Sequence, residues 1–131
     1  KMFPVDSHYL RTAQKIAKKT GAEIRVFTQL PEKNVLKNVN VVYTDEWESM
    51  HMHLDKKKIA PALQPLQVNE RLLSQCAKNV RAMHCLPATK GEEITEKTMY
   101  GKQSIIWEQA QNRMWVQMGL LSALLYSTTK P

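Results

Sequence analysis

The chain has 131 residues and a net charge of +7, from 19 Lys and Arg against 12 Asp and Glu. That length holds one compact domain with a real core and not comfortably two. No stretch approaches the roughly 18 uninterrupted apolar residues that cross a bilayer, and the start KMFPVDSHYL has no signal-peptide core. Positive charge admits anionic partners, but Lys15, Lys56 to Lys58, Lys90 and Lys102 are scattered and do not alternate with aromatic residues. Neither nucleic acid nor a membrane is an expected partner. The two cysteines, Cys76 and Cys85, stand in unlike contexts, which argues against a disulfide framework and for a reducing, cytoplasmic setting. Beginning on Lys1 rather than Met reads as a piece of a longer chain.

In chain order, residues 5–23 read as a helix. Asp6 or Ser7 can cap its first turn, Leu10, Ala13, Ile16 and Ala17 form its apolar stripe, and Gly21 suits the left-handed position past its end. EIRVFT (23–28) reads as a strand and LPEKNVLKN (30–38) as a short helix with Pro31 near its start. VNVVYT (39–44) is a β-branched run of the kind buried on both faces of a sheet. Residues 45–67 break all periodicity, which usually marks a functional or mobile segment. VNERLLSQCAK (68–78) is a helix with Asn69 as cap and Cys76 on its core face. VRAMHC (80–85) is a strand, GEEITEKTMYGKQ (91–103) a loop with one helical turn, and SIIW (104–107) a last short strand. The final segment from Glu108 places Ala110, Met114, Met118, Leu121 and Leu125 at helical spacing. Trp115 and Leu124 widen that stripe, so this helix is expected to be buried on more than one side.

Alternating helices and strands argue for an α/β fold, a doubly wound, mainly parallel sheet with helices on both faces. Such sheets bind ligands at the carboxyl ends of their strands. Two exits carry polar, reactive groups: VVYT runs into Asp45, and VRAM runs into His84 and Cys85. They are expected to face each other across one crevice.

Each candidate has a plain alternative. Cys85 is either an exposed thiol able to act as hydrogen-bond partner, proton acceptor or nucleophile, or a small buried hydrophobe. His84 is weaker, because strand neighbours point to opposite faces, unless Pro87 distorts the loop; the bond before Pro87 is a candidate for the cis form. Asp45 can hold a substrate ammonium or cap the next segment. His51 and His53 offer two metal ligands without a third, a poor zinc site. Arg113, early in the last helix, can clamp a carbonyl or phosphate oxygen or lie on the surface. Gly91, Glu92 and Glu93 suit the start of a helical turn, where acids meet the positive end of the dipole.

Four motifs in order then give the chain a family. MHCLPATKGEEIT followed by SIIWEQAQNR resembles the second half of ornithine carbamoyltransferase, VVYTDEWESM is similar to its V-x-Y-T-D-x-W-x-S-M segment, and LQVNERLL to its Y-Q-V-N-x-x-L-L. The resemblance covers residues 6 to 126. It implies two α/β domains, with residues 1–131 forming the amino-acid (ornithine)-binding domain, incomplete at its N-terminus, and a helix over 108–131 packing on a separate carbamoyl-phosphate domain. It implies carbamoyl transfer from carbamoyl phosphate to the δ-amine of ornithine, giving citrulline and phosphate, in a homotrimer or a multiple of it, with no metal or organic cofactor. By the same resemblance Asp45, Ser49 and Met50 hold the ornithine ammonium and carboxylate. Cys85 and the Leu86 carbonyl meet the reacting amine, with His84 beside them as a further substrate contact, and Arg113 polarises the carbamoyl oxygen. The Leu86-Pro87 bond is implied to be cis.

The chain departs from the family at His51, which stands where a glycine is usual, and at Gln111, which replaces a glutamate. HCLPATKGEE also resembles putrescine-specific relatives, whereas Ser49 and Met50 favour a substrate with a carboxylate. Putrescine carbamoylation, or an inactive transcarbamylase-like binding module, are the alternatives.

Overall fold

A computed structural model describes residues 5–48 and 56–128. The chain divides into two compact units, Lys1–Pro31 and Glu32–Pro131.

The first unit is built on helix α1, Ser7–Thr20. Of the two possible caps it uses Asp6, whose carboxylate accepts from the His8 and Tyr9 amides. Gly21, at φ 74°, ends the helix in the left-handed region, where a side chain would be strained. Lys18 and Lys19 lie in the last turn, where positive charge suits the dipole. Residues 23–28, expected as a strand, take no strand structure, and Ile24, Val26 and Phe27 are exposed. Their alternation is real, but a strand exists only with a partner ladder to satisfy its amides.

The second unit runs α2 (Lys33–Leu36), β1 (Val41–Thr44), α3 (Lys56–Leu63) with a 3-10 turn at Gln64–Leu66, α4 (Glu70–Leu73), β2 (Arg81–His84), α5 (Glu96–Met99) and α6 (Ile106–Thr128). Strands β1 and β2 pair in parallel, Val41 with Arg81 through Thr44 with His84. The α/β class and the parallel pairing are as expected, but of the four expected strands only these two form among the described residues. Ser104 contributes a single parallel bridge to Ala82, and Ile106 and Trp107 already belong to α6. The segment read as aperiodic contains α3, whose helical spacing is disguised by Pro61 and Pro65.

The core gathers Leu36, Val68, Leu72, Leu73, Val80, Ala82, Ile94, Met99 and Ile106. Ile94, Ile106 and Val80 are wholly enclosed, and full burial of such a side chain stabilises by about 1.5–3 kcal/mol. Cys76 packs against this cluster, its thiol donating to the Leu72 carbonyl, as a core thiol should. Strand alternation assigns the faces. Ala82 and His84 are buried and Val42 packs on the core, while Val41, Tyr43 and Arg81 are exposed. Strand β1 is therefore not buried on both faces.

Helix α6 corrects the sequence reading further. Its first residue, Ile106, sits in the core, but from Ala110 to Tyr126 every residue is exposed, Trp115 at 54%. Its apolar residues spread around the whole circumference, and only its first turns pack on β2.

Candidate active site

The strand register places the site. Because Thr44 pairs with His84, the next residues out, Asp45 and Cys85, meet side by side at the two carboxyl ends. The Cys85 thiol donates to Asp45 Oδ1 at 2.8 Å, so the two exits share one crevice. The Glu46 amide also donates to this carboxylate, at 2.8 Å. The thiol's hydrogen bond, then that amide, hold the Asp45 carboxyl below its ordinary range. Crowding around the sulfur, then Asp45, push the Cys85 thiol above its ordinary range, although the residue as a whole is exposed. At neutral pH the pair is therefore thiol and carboxylate, a donor beside an anion, and Cys85 is a poor thiolate nucleophile.

His84, expected as a substrate contact, points the other way. It is 1% exposed. Its Nδ1 accepts the Leu86 amide at 2.8 Å, so the ring proton sits on Nε2 and donates to Glu93 Oε1 at 3.2 Å. Both ring nitrogens are spent inside the chain. The cause is strand alternation: with Cys85 on the open face, its neighbour must face the core. The histidine fixes the turn, holding Leu86 at φ 56°, a left-handed conformation that costs a leucine about 1–2 kcal/mol. The Leu86-Pro87 bond is cis, as the resemblance implied.

Glu93 is the residue that sequence reasoning misjudged. It does not begin a helix; Gly91–Glu93 is a turn, and α5 starts after Thr95, whose side chain caps it. Glu93 is 0% exposed, and its Oε1 also accepts the Thr89 amide at 2.6 Å. One carboxylate oxygen thus ties the end of β2 to the far side of the Leu86–Ala88 turn. Its Oε2 is buried without a hydrogen-bond partner among the described residues. A charge-bearing group two residues from a helix cap gives no sequence signal that it will be swallowed.

The Q-V-N motif is what brings Glu93 there. Gln67 donates to the Gly91 and Glu92 carbonyls, Val68 exchanges backbone bonds with Glu93 and Thr95, and Asn69 caps α4 by accepting the Leu72 amide. Helix α6 closes the arrangement through Gln109, whose Oε1 accepts the His84 amide at 3.1 Å and whose Nε2 donates to the Tyr43 hydroxyl at 3.1 Å. Arg113 follows four residues later, on the same face of the helix as Gln109, and is exposed. The positions proposed for the substrate's carboxylate, Ser49 and Met50, lie outside the described residues, as do His51 and His53. Among the described residues no group of three or more His, Cys, Asp or Glu is placed to hold a metal ion, and no helix is long and apolar enough to cross a membrane.

Comparison with known proteins identifies the family. The model of the family described as aspartate/ornithine carbamoyltransferase, Asp/Orn binding domain, matches residues 1–124. The ornithine carbamoyltransferase of Archaeoglobus fulgidus is 44% identical over 111 residues, 85% of this chain and 36% of that relative. That of Halalkalibacterium halodurans is 39% identical over 125 residues, 95% of this chain and 39% of the relative. Among solved structures, the anabolic ornithine carbamoyltransferase from Campylobacter jejuni superposes with a TM-score of 0.83 at 30% identity, covering 97% of this chain and 41% of that one. The chain thus spans well under half the length of these relatives. Motif order, strand register and family match agree: the chain belongs to the aspartate/ornithine carbamoyltransferase family and represents its Asp/Orn binding domain.

Proposed function

We propose that the intact protein transfers the carbamoyl group of carbamoyl phosphate to the δ-amine of ornithine, giving citrulline and phosphate, and that this chain supplies the ornithine-binding part. The observation that carries the reading is the 2.8 Å contact between Cys85 and Asp45 at two adjacent strand ends. A carboxylate held below its ordinary range is a durable counter-charge for a substrate ammonium. A thiol that stays protonated offers hydrogen bonding to the reacting amine rather than covalent attack.

In the reaction a C–N bond forms, the bond from the carbamoyl carbon to the phosphate oxygen breaks, and the amine loses a proton on or before attack, with Asp45 the nearest carboxylate. Arg113, on the face of α6 that Gln109 turns to the strand ends, is assigned to the carbamoyl oxygen, where charge develops. The Leu86 carbonyl is assigned to the reacting nitrogens, and Ser49 and Met50 to the ornithine carboxylate. His84 takes a positioning role instead of contact. No cofactor is assigned. Positioning two small reactants alone contributes roughly 7–11 kcal/mol to such a reaction.

The separate carbamoyl-phosphate domain is the partner proposed for the exposed face of α6 bearing Met114, Trp115, Met118 and Leu121. A trimeric assembly, a place in arginine metabolism and a cytoplasmic location complete the proposal. The test is citrulline formation by the intact protein, with putrescine as the competing acceptor. Arg113→Ala is expected to lower kcat by at least about 100-fold, the size typical of losing one donor to a developing oxyanion, and Cys85→Ala is expected to lower kcat as well. A folded intact protein that carbamoylates neither amine would refute it.

A further inference from the structure

We propose that Tyr43 and Gln109 are a positioning pair for Cys85: Gln109 holds the Tyr43 hydroxyl, and that hydroxyl gives its proton to the Cys85 sulfur, leaving the thiol proton aimed at Asp45. The inference deepens the reading above and rests on Cys85 being the group that meets the amine.

Register supplies the first argument. Tyr43 pairs with Met83, so Tyr43, Asp45 and Cys85 all lie on the open face of the two-stranded sheet. Tyr43 is 55% exposed, so its ring is not there to fill the core. Hydrogen-bond direction supplies the second. The Gln109 amide cannot turn over, because its oxygen is committed to the His84 amide. Its nitrogen therefore faces Tyr43 and donates to the hydroxyl oxygen at 3.1 Å. An oxygen that accepts from Gln109 keeps its own proton for another acceptor, and the Cys85 sulfur, two residues beyond Tyr43's partner Met83 on the same open face, is the acceptor assigned to it. The sulfur in turn donates to Asp45. The chain Gln109, Tyr43, Cys85, Asp45 thus has one direction throughout and ends on a carboxylate.

A thiol hydrogen otherwise rotates freely about its C–S bond. Donation from Tyr43 restricts that freedom and opposes the upward push on the thiol from crowding and Asp45. The titratable groups that bear on the sulfur are Asp45, just past the end of β1, and Tyr43 within it. The His84 ring is turned to the interior with both nitrogens bonded.

The test uses the intact protein and three variants, Tyr43→Phe, Gln109→Glu and the double. The first removes one oxygen from a half-exposed ring. A glutamate in place of Gln109 still accepts the His84 amide, but its second oxygen attracts the Tyr43 proton away from sulfur. Two readouts are followed: the rate at which iodoacetamide alkylates Cys85 across pH, located by peptide mass, and steady-state citrulline formation. Tyr43→Phe is expected to slow Cys85 alkylation about threefold near pH 8 and to lower kcat about three- to tenfold, with the ornithine KM changed less than twofold. Gln109→Glu should reproduce this where Tyr43 is present and add little when combined with Tyr43→Phe. Alkylation of the Tyr43→Phe variant at the wild-type rate throughout the pH range, or fully multiplicative effects in the double, overturns the inference. If the wild-type protein forms no citrulline, the carbamoyl-transfer reading fails, while the alkylation comparison still decides the role of Tyr43.

Discussion

Replacing Glu93 by alanine removes the single oxygen that holds the Cys85 turn from two sides. The Thr89 amide at 2.6 Å and the His84 Nε2–H at 3.2 Å lose their acceptor in a place without solvent. Each stranded buried donor costs about 1–3 kcal/mol. Deletion of Oε2, itself buried without a partner, returns part of that. The net expectation is a loss of about 2–4 kcal/mol, toward the lower end of what breaking a buried pair usually costs. Glutamine keeps a carbonyl acceptor for both donors and exchanges one unsatisfied atom for another, so Glu93→Gln should stay within about 1 kcal/mol of wild type. Hydrogen exchange of the intact protein reads the effect locally. The Leu86 and Thr89 amides should exchange about thirtyfold faster or more in the alanine variant, since 2 kcal/mol is a factor of about 30. The glutamine variant should change them little. Unchanged protection of both amides in Glu93→Ala, or equal damage by Gln and Ala, would refute the account of this carboxylate as the anchor of the turn.

Three further predictions concern charge and capping. Because the Asp45 carboxylate penalises a thiolate beside it, Asp45→Asn should bring the Cys85 thiol down toward its ordinary range and speed its alkylation by iodoacetamide at pH 8. In the opposite direction, Asp45 has a lowered folded value, so its stabilising contribution is present above the unfolded value and lost as pH falls through the folded one; Cys85→Ala should move that loss to higher pH in urea unfolding followed against pH. Asn69→Ala leaves the Leu72 amide without its cap and should lower stability by about 1 kcal/mol, read as a shift in urea midpoint at unchanged slope.

Much of the site was legible because its parts sit at strand ends, where periodicity stops and chemistry begins. Asp45 and Cys85 could be paired from strand order alone, and the two-residue period already made His84 the weaker candidate of the two. What stayed hidden depends on contacts distant in sequence. Glu93 looks like a dipole-stabilising acid until Gln67, whose amide bonds span 24 to 25 residues, is seen clasping the turn around it. Gln109 resembles any polar residue on a helix until its two ends are found on β1 and β2. The strand expected at 23–28 and the burial expected for α6 failed for a common physical reason. Apolar patterning states that a surface can be covered, not what covers it, and the first and last elements show their apolar residues to solvent in this chain.

The parallel register of β1 and β2 has a consequence for how this site can change. The identity of the group presented beside Asp45 is set by odd and even positions along β2, not by loop shape. Deleting one residue between Val80 and His84, with Val80 still held in the core, would turn the sulfur inward and bring the imidazole to the open face opposite Tyr43, leaving no thiol beside Asp45. The local sequence around the thiol is therefore intolerant of length change even where it tolerates substitution, and any chain in which the spacing from Val80 to Cys85 differs should be read as having a different chemistry.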